Sequence, residues 1–392
     1  MEIKKIVFLT GTRADFGKLK PLINKVEQSN LFDCHIFVTG MHMLAKYGST
    51  FIEVVDQKYQ NIHPFINQTT NTDMDIILSN TILGFSNYVK EIKPDLIIVH
   101  GDRVEALAGA MVGALNNILV VHIEGGEVSG TIDELIRHAI TKMSHIHFVA
   151  NKKAKQRLIQ MGEKKDTIFI IGSPDIDIMM SESLPLLSEV KKHYEISFNN
   201  YSIFCYHPVT TELDQLETNI NNTISALKQS NKNYVVIYPN NDPGSDIILN
   251  AISTLKEHKN FRILPSMRFE YFLTLLKNCE FIIGNSSSGI RGAGLYGVPA
   301  INIGTRQKNR SENKSIINVP PEKDEIQKGI KNIEGKFFEK TFEFGQGNST
   351  ELFYKTLKKK DIWKIPHQKQ FVDQQMSFKE DIDSILQIGI EK

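Results

Sequence analysis

Short apolar runs alternate with amphipathic stretches along the first 172 residues of this 392-residue chain. The runs are rich in β-branched residues and apolar at consecutive positions, which is typical of strands buried on both faces of a parallel sheet. They predict six strands, at 6–9, 35–38, 96–99, 118–121, 146–149 and 168–171. The stretches between them carry apolar residues on one helical face, as at 16–26 and 132–143. The pattern therefore predicts a doubly wound α/β domain.

The same alternation restarts after a polar, charged stretch around residues 189–200. It predicts six more strands, at 202–206, 234–238, 262–264, 281–283, 300–303 and 316–319. We thus predict domains over 1–175 and 176–365, and a helical tail over 366–392 whose apolar positions Ile382, Ile385 and Leu386 could pack on the first domain. Two tandem domains of this kind bring the carboxyl ends of both sheets to one cleft, where ligands bind.

Composition and charge argue against several classes of protein. The 46 Lys and Arg residues against 45 Asp and Glu give a net charge of +1, which argues against a nucleic-acid-binding face. No apolar run is long enough for a signal peptide or a membrane span. The three scattered cysteines form no CxxC motif, so we expect a cytoplasmic protein without a disulfide framework or structural zinc.

Acidic residues follow two neighbouring predicted strands. Asp102 comes after one strand, and Glu124 and Glu127 come after the next. Asp133 and Glu134 then open a helix, where either could be a cap instead of a cleft residue. Grouped at one sheet edge, these carboxylates could act as general acids or bases.

The turn after the first strand, TGTRADFGK at 10–18, carries Arg13 and Lys18 at the start of a helix. Its glycine spacing fits neither a P-loop nor GxGxxG. It could neutralise a phosphate, or it could be an ordinary βα turn with solvated charges. His42 follows the second strand and could line the cleft or belong to a turn.

In the second domain, His207 and Asn240 end two successive strands, and GNSSSGI at 284–290 ends a third and enters a helix. Small hydroxyl residues at a helix N-terminus offer backbone N–H groups and hydroxyls to a phosphate, so this loop is the best phosphate-site candidate. Nearby cations are supplied by Arg268, Arg291, Arg306 and Arg310.

A metal site is disfavoured. His145 and His147 share one strand face, as do His122 and Glu124, but there is no HExxH motif, third ligand at fixed spacing or cysteine partner. We expect no metal and no cofactor.

Together these strings resemble the hydrolysing UDP-N-acetylglucosamine 2-epimerases of bacterial sialic-acid synthesis. The resemblance runs in order from residue 5 to about 310 and rests on TGTRADFGKLKP, VTGMHM, HGDR, HIEGGE, DELIRH, GSPD, His207-Pro208 and GNSSSGI. It implies the GT-B architecture, in which two Rossmann-like domains flank a cleft.

The resemblance also implies a reaction. The C2 proton of the sugar leaves as the nucleoside diphosphate departs from C1, and water then adds at C1 while a proton returns to C2 from the opposite face. The family's catalytic carboxylates fall on Asp102, Glu124 and Asp133. The family's substrate-holding positions fall on Arg13, Lys18, His207, Ser286, Ser287, Ser288 and Gly289. We add as substrate-binding candidates His42, Glu127, Glu134, Arg137, Asn240, Arg268, Asn285 and Arg306. We expect a nucleotide-sugar substrate and a homo-oligomer, either a dimer or a tetramer.

One departure leaves the substrate open. The family usually has a Glu that accepts hydrogen bonds from the ribose at the position of Gly292. A first alternative is a UDP- or GDP-linked 2,4-diacetamido-2,4,6-trideoxy sugar, as in legionaminic-acid synthesis. Others are a non-hydrolysing 2-epimerase, whose first-strand motif has Pro-Glu in place of Ala14-Asp15, a GT-B glycosyltransferase, and a non-catalytic nucleotide-sugar sensor.

Overall fold

A computed structural model describes residues 3–70, 72–311 and 313–373 of the chain. Two parallel sheets, each covered by helices on both faces, lie in succession along it. The first sheet has the order β3-β2-β1-β4-β5-β6-β7. Its strands are β1 (Lys4–Thr10), β2 (Phe32–Val38), β3 (Asn61–Pro64), β4 (Leu96–His100), β5 (Leu119–Ile123), β6 (Ile146–Val149) and β7 (Ile168–Ile170).

The second sheet has the order β10-β9-β8-β11-β12-β13. Its strands are β8 (Ser202–Cys205), β9 (Tyr234–Ile237), β10 (Phe261–Leu264), β11 (Ile282–Gly284), β12 (Ala300–Ile303) and β13 (Ile316–Val319). All twelve predicted strands are confirmed. The additional strand is β3, a sheet edge of sequence NIHP with no apolar run to mark it.

Helices flank both sheets. Those before residue 180 are α1 (Arg13–Glu27), α2 (Phe51–Val55), α3 (Met74–Ile92), α4 (Val104–Leu115), α5 (Ile132–Met143), α6 (Lys152–Gln160) and α7 (Pro174–Met179). The rest are α8 (Leu187–His193), α9 (Leu213–Gln229), α10 (Ser245–Ser253), α11 (Phe269–Asn278), α12 (Ser287–Tyr296), α13 (Lys323–Ile333) and α14 (Ser349–Leu357).

Helix α14 crosses back to the first domain. Phe353 and Leu357 are fully buried in the same core as Ile6 and Phe8. The segment that leaves the first domain and the segment that returns to it lie side by side. The backbone N–H of Ser173 in the first donates to the Phe344 carbonyl in the second at 2.7 Å. The apolar face of α14 is buried against α1, and the predicted domain bounds 1–175 and 176–365 stay a prediction. The predicted apolar positions 382–386 of the tail lie outside the described residues.

The fold class predicted from the sequence is confirmed: two parallel α/β domains flank a cleft in the GT-B arrangement. In the part of the chain that the structure describes, no helix combines the length and apolar character needed to span a membrane.

Candidate active site

The carboxyl ends of both sheets open onto a single cavity of about 360 Å³ between the domains. A parallel sheet exposes its loops at this edge, so both domains supply the lining. Twelve of the sequence-predicted site residues line it: Arg13, Lys18, Asp102, Glu124, Asp133, Arg137, His207, Asn240, Ser286, Ser287, Ser288 and Arg306. Their catalytic and binding roles stay predictions.

Glu124 lies at the base of this cavity, directly after β5, with a positive φ of 65° that is uncommon for a residue with a side chain. Arg291 of α12, in the other domain, donates to its two oxygens at 2.5 and 2.7 Å. Ser173 donates to Oε1, and Lys18 Nζ lies 3.4 Å from Oε2. Both carboxylate oxygens are thus fixed by groups from both domains.

These cations determine the charge of Glu124. Burial alone would raise the pKa of its carboxyl, but the positive charges of Arg291, Lys18 and His100 together hold that pKa well below its usual range. His100 shows the complementary effect: burial would lower its pKa, yet the charges of Glu124 and Asp15 raise it. Glu124 is therefore ionised and His100 favours the imidazolium form.

The other two predicted catalytic carboxylates each contact one arginine. Asp102 accepts from Arg137 of α5, and its side chain keeps 27% of its surface exposed. Asp133, at the start of α5, accepts from Arg306 Nη2 of the second domain at 3.1 Å. Thr131 caps this helix and Asp133 does not, so the carboxylate of Asp133 is available to the cleft.

Several arginines converge on the cavity. Arg137, Arg291, Arg306 and Arg310 all line it, and burial together with the charges of the other three lowers the pKa of Arg137 well below its usual range. Mutual repulsion of buried guanidinium groups is relieved by an anion, so this cluster can bind the phosphates of a ligand.

His207 is held in one tautomer beside this cluster. Its Nδ1 accepts from the backbone N–H of Asn240 at 3.1 Å, which leaves the proton of the neutral ring on Nε2. Burial and the charge of Arg306 lower the pKa of His207 well below its usual range. Asn285 fixes the backbone here by accepting from the His207 amide at 2.7 Å and donating to its carbonyl at 2.8 Å. The neutral ring can donate a hydrogen bond to a phosphate.

Ser286 caps α12, and its Oγ accepts from the Ser288 amide at 3.3 Å. Ser286, Ser287 and Ser288 at the start of this helix line the cavity, and a helix N-terminus suits an anion. At the opposite rim, Arg13 pairs with Glu53 and donates to Ser266 of the second domain at 2.6 Å. Arg13 thus contacts both domains.

Six predicted residues are outside the cavity lining. His42 is buried beneath it between Thr10 and Thr50, and Asn285 supports His207 from behind. Glu127 is buried 3.9 Å from Arg310, and Glu134 accepts from the Ser129 backbone N–H at 2.6 Å in the loop before α5. The other two are Arg268, which lines a separate groove, and Gly289, which packs on the second sheet.

The sequence analysis missed Asp15, His100, Arg103 and Ser173 as site residues. His100 and Arg103 lie inside the HGDR string, whose position after a buried strand was a usable signal. Arg103 Nη2 donates to Asn241 Oδ1 of the second domain at 2.8 Å. Ser173 lies inside the GSPD string, but its contact with Glu124 and Arg291 depends on the crossing between the domains, which the string alone does not show.

Gly292, where the resemblance leads us to expect a ribose-binding Glu, lies on the cavity wall. A Cβ there would lie 2.9 Å from Leu276 Cδ2 and 3.2 Å from Met179 Cε, both ends of flexible side chains. The wall is apolar at this point, and a larger residue requires these two side chains to shift. Within residues 3–70, 72–311 and 313–373, no group of three or more His, Cys, Asp or Glu side chains could hold a metal ion.

An interdomain cleft that combines carboxylates with an arginine cluster is typical of an enzyme whose ligand carries phosphate groups. Comparison with known sequences identifies the family. The family profile of UDP-N-acetylglucosamine 2-epimerase matches residues 24–358, and the chain belongs to this family.

Three comparisons show the range of the family. A protein from Neisseria meningitidis serogroup B named UDP-N-acetylglucosamine 2-epimerase is 49% identical over 375 residues, covering 95% of this chain and 99% of its own. The Legionella pneumophila protein named UDP-N,N'-diacetylbacillosamine 2-epimerase (hydrolyzing) is 35% identical, covering 91% and 96%. The crystal structure of a Neisseria meningitidis UDP-GlcNAc 2-epimerase bound to UDP-GlcNAc superposes with a TM-score of 0.75 at 20% identity, covering 90% of this chain and 99% of that one.

Proposed function

We propose that this protein is a hydrolysing 2-epimerase that converts UDP-N-acetylglucosamine to N-acetylmannosamine and UDP. The observation that carries the proposal is the convergence of Asp102, Glu124 and Asp133 with four arginines on one interdomain cavity. Elimination needs a proton acceptor at C2 and stabilisation of the departing diphosphate at C1, and these two sets of groups match those needs.

Glu124 is the group that removes the C2 proton in this proposal. Its ionised carboxylate can accept a proton but holds none to give, as the cations around it determine. The C2–H electron pair becomes the C1–C2 double bond as the C1–O bond breaks, and UDP leaves with that bonding pair. The arginine cluster, neutral His207 and the N-terminus of α12 neutralise the charge that develops on the diphosphate.

Hydration follows on the resulting 2-acetamidoglucal. Water adds its oxygen to C1, a carboxyl group returns a proton to C2 from the opposite face, and the water proton is taken up by a carboxylate. We assign this half of the reaction to Asp102 and Asp133, because each contacts a single arginine and keeps part of its side chain exposed to the cavity. The inverted C2 gives the manno sugar.

Proton NMR during incubation with UDP-GlcNAc in D₂O tests the proposal. Free N-acetylmannosamine carrying deuterium at C2, together with UDP, is the expected outcome. UDP-linked N-acetylmannosamine would indicate a non-hydrolysing epimerase, and an unchanged substrate that nevertheless binds would indicate a sensor or a glycosyltransferase lacking its acceptor. Turnover only of a UDP- or GDP-linked 2,4-diacetamido-trideoxy sugar would move the enzyme to that substrate class.

The role of Glu124 has its own test. Glu124→Gln should release neither UDP nor glucal from UDP-GlcNAc, yet should still hydrate added 2-acetamidoglucal. Asp102→Asn or Asp133→Asn should instead release UDP and accumulate glucal. If Glu124→Gln accumulated glucal and an aspartate variant released no UDP, that aspartate would remove the C2 proton and Glu124 would act in hydration.

The proposal extends to the first step of sialic-acid synthesis in the cytoplasm, which the Escherichia coli relative named polysialic acid biosynthesis protein P7, at 35% identity over 335 residues, supports. The homo-oligomer expected from the sequence stays a prediction, consistent with the exposed Leu83, Leu115 and Leu135 on neighbouring helices of the first domain.

A further inference from the structure

A buried histidine lies between two carboxylates at the base of the cleft. His100 Nδ1 lies 2.7 Å from Asp15 Oδ1 of α1, and its Nε2 lies 3.2 Å from Glu124 Oε2. The Nε2 contact is close enough for an ion pair but is not aligned as a hydrogen bond. The imidazole therefore joins a residue of the first βα turn to the candidate proton acceptor.

His100 differs from the other cations around Glu124 in that its charge can change near neutral pH. The three cations at this carboxylate are Lys18 from α1, Arg291 from α12 and His100 at the end of β4. Lys18 and Arg291 belong to residue types that keep their charge at neutral pH, whereas histidine titrates there.

A further titratable neighbour is His122, whose pKa is lowered to about 3 by burial, so it stays neutral. Asp15 is the carboxylate that balances the His100 charge from the side opposite Glu124.

We propose that His100 is a positioning residue for Glu124, and that Asp15 keeps its imidazole charged so that Glu124 Oε2 is held towards the reacting carbon. The inference rests on the role of Glu124 in the proposed function. No proton needs to pass through His100 during turnover, because the imidazolium only fixes Oε2 at one geometry. Its loss leaves that oxygen with Lys18 of α1 and Arg291 of α12, and of these two Arg291 pulls the carboxylate towards the second domain. Activity should then fall on the alkaline side, where His100 loses its proton.

Substitution at Asp15 separates charge from shape. Asp15→Asn keeps an oxygen that can accept from Nδ1 and removes the charge, whereas Asp15→Glu keeps the charge on a longer side chain. We expect Asp15→Asn to lower kcat about tenfold or more with KM changed less than about twofold, and to move the alkaline limb of the kcat profile to lower pH. Asp15→Glu should restore that limb towards its wild-type position.

A second Asp–His pair in the same domain is the matched control. Asp33 Oδ2 lies 3.0 Å from His35 Nε2, away from the cleft. Asp33→Asn should leave kcat, KM and the alkaline limb unchanged.

The charge state of His100 can be measured without any substrate. Imidazole ¹⁵N and ¹³C shifts of labelled protein, assigned with His100→Asn, should show His100 protonated through neutral pH in the wild type and titrating at lower pH in Asp15→Asn. A neutral His100 at pH 7 in the wild type, or an unshifted titration in Asp15→Asn, would overturn the inference. So would an active Asp15→Asn enzyme with an unmoved alkaline limb. A wild type that does not turn over UDP-GlcNAc would count against the proposed function alone, because the NMR titration still reports on His100.

Discussion

The first domain contains two buried carboxylates with closely similar surroundings. Glu124 is flanked by His100, Lys18 and Arg291. Glu163 is flanked by His147 at 3.0 Å, Lys142 at 2.8 Å and Lys369 at 2.5 Å. Burial opposes ionisation in both, yet the neighbouring charges lower the pKa of Glu163 to about 2 and that of Glu124 well below its usual range.

The two clusters differ in where their members come from and in whether they border a cavity. The partners of Glu124 come from both domains and line a cavity, whereas those of Glu163 come from the first domain and from the C-terminal segment around Lys369, which also donates to three carbonyls at the end of α5. A buried carboxylate with a low pKa is therefore insufficient evidence of a site. Glu124 differs from Glu163 in two respects: its partners line a cavity, and one of them, Arg291, belongs to the second domain. These two features mark Glu124 as a candidate catalytic residue and Glu163 as a stabilising one.

The largest effect should follow from the cleft carboxylates. Asp102→Asn, Glu124→Gln and Asp133→Asn should each lower the rate at which UDP-GlcNAc yields free N-acetylmannosamine by about 100-fold or more, because proton transfer by a positioned side chain contributes 10²- to 10⁴-fold. Circular dichroism should show each variant folded. Near-wild-type turnover in any of the three would remove that residue from the mechanism and weaken the contrast with Glu163.

Glu163→Gln should produce the opposite result. Removing this charge leaves Lys142 and Lys369 without their buried partner, and we expect the free energy of unfolding to fall by about 3 kcal/mol. The kcat of the folded enzyme should change less than about twofold. Urea unfolding and initial rates at saturating substrate measure the two quantities, and Glu334→Gln, at an exposed pair with Lys232, is a control that should leave stability nearly unchanged. A large loss of kcat would make the Glu163 cluster part of the catalytic apparatus.

A comparable loss of stability should appear as the pH falls. His122 lies between the clusters, paired in register with His147, and its Nε2 donates to the Gly101 carbonyl beside Asp102. Burial lowers the pKa of His122 to about 3 and that of His42 to about 4. Because both folded-state values lie below the unfolded value near 6.5, this stability is fully present above that value and is lost as pH falls towards 4 and 3.

Urea titrations at pH 7.5 and pH 5 measure this loss. We expect the free energy of unfolding to fall by about 2 to 4 kcal/mol between them. Equal stability at the two pH values would show that these histidines are protonated in the folded protein.

The smallest effect concerns the apolar wall at Gly292. A Glu at this position could restore a charge-assisted contact worth about 1.5 to 3 kcal/mol, while crowding against Leu276 and Met179 costs about 1 to 3 kcal/mol. We expect Gly292→Glu to lower KM for a nucleotide sugar by less than about tenfold, with Gly292→Gln as the uncharged control. Measuring KM for UDP- and GDP-linked GlcNAc and for their diacetamido-trideoxy counterparts shows which substrate gains. An equal effect of Glu and Gln would mean that the ribose is held by other groups.

Local pattern predicted most of the fold because the central strands are buried on both faces and so carry apolar runs, and the predicted edge strands keep enough apolar residues to be recognised. Strand β3 lacked that signal, since an edge strand of sequence NIHP needs only one neighbour. The cleft carboxylates were predictable because parallel topology alone places the ends of β4 and β5 together. The pairing of Arg291 with Glu124 and of Lys369 with Glu163 was not, because each joins residues more than 160 positions apart and depends on how separate parts of the chain dock.

The return of α14 to the first domain has a consequence for synthesis on the ribosome. The core around Ile6 and Phe8 includes Phe353 and Leu357, so the earliest strand packs against one of the last helices described. At about 5 to 20 residues per second, the first domain would wait roughly 20 to 70 s for this helix after its first strand emerges. During that interval the second domain can fold as a continuous stretch of chain, while part of the apolar surface of β1 stays uncovered and open to chaperones.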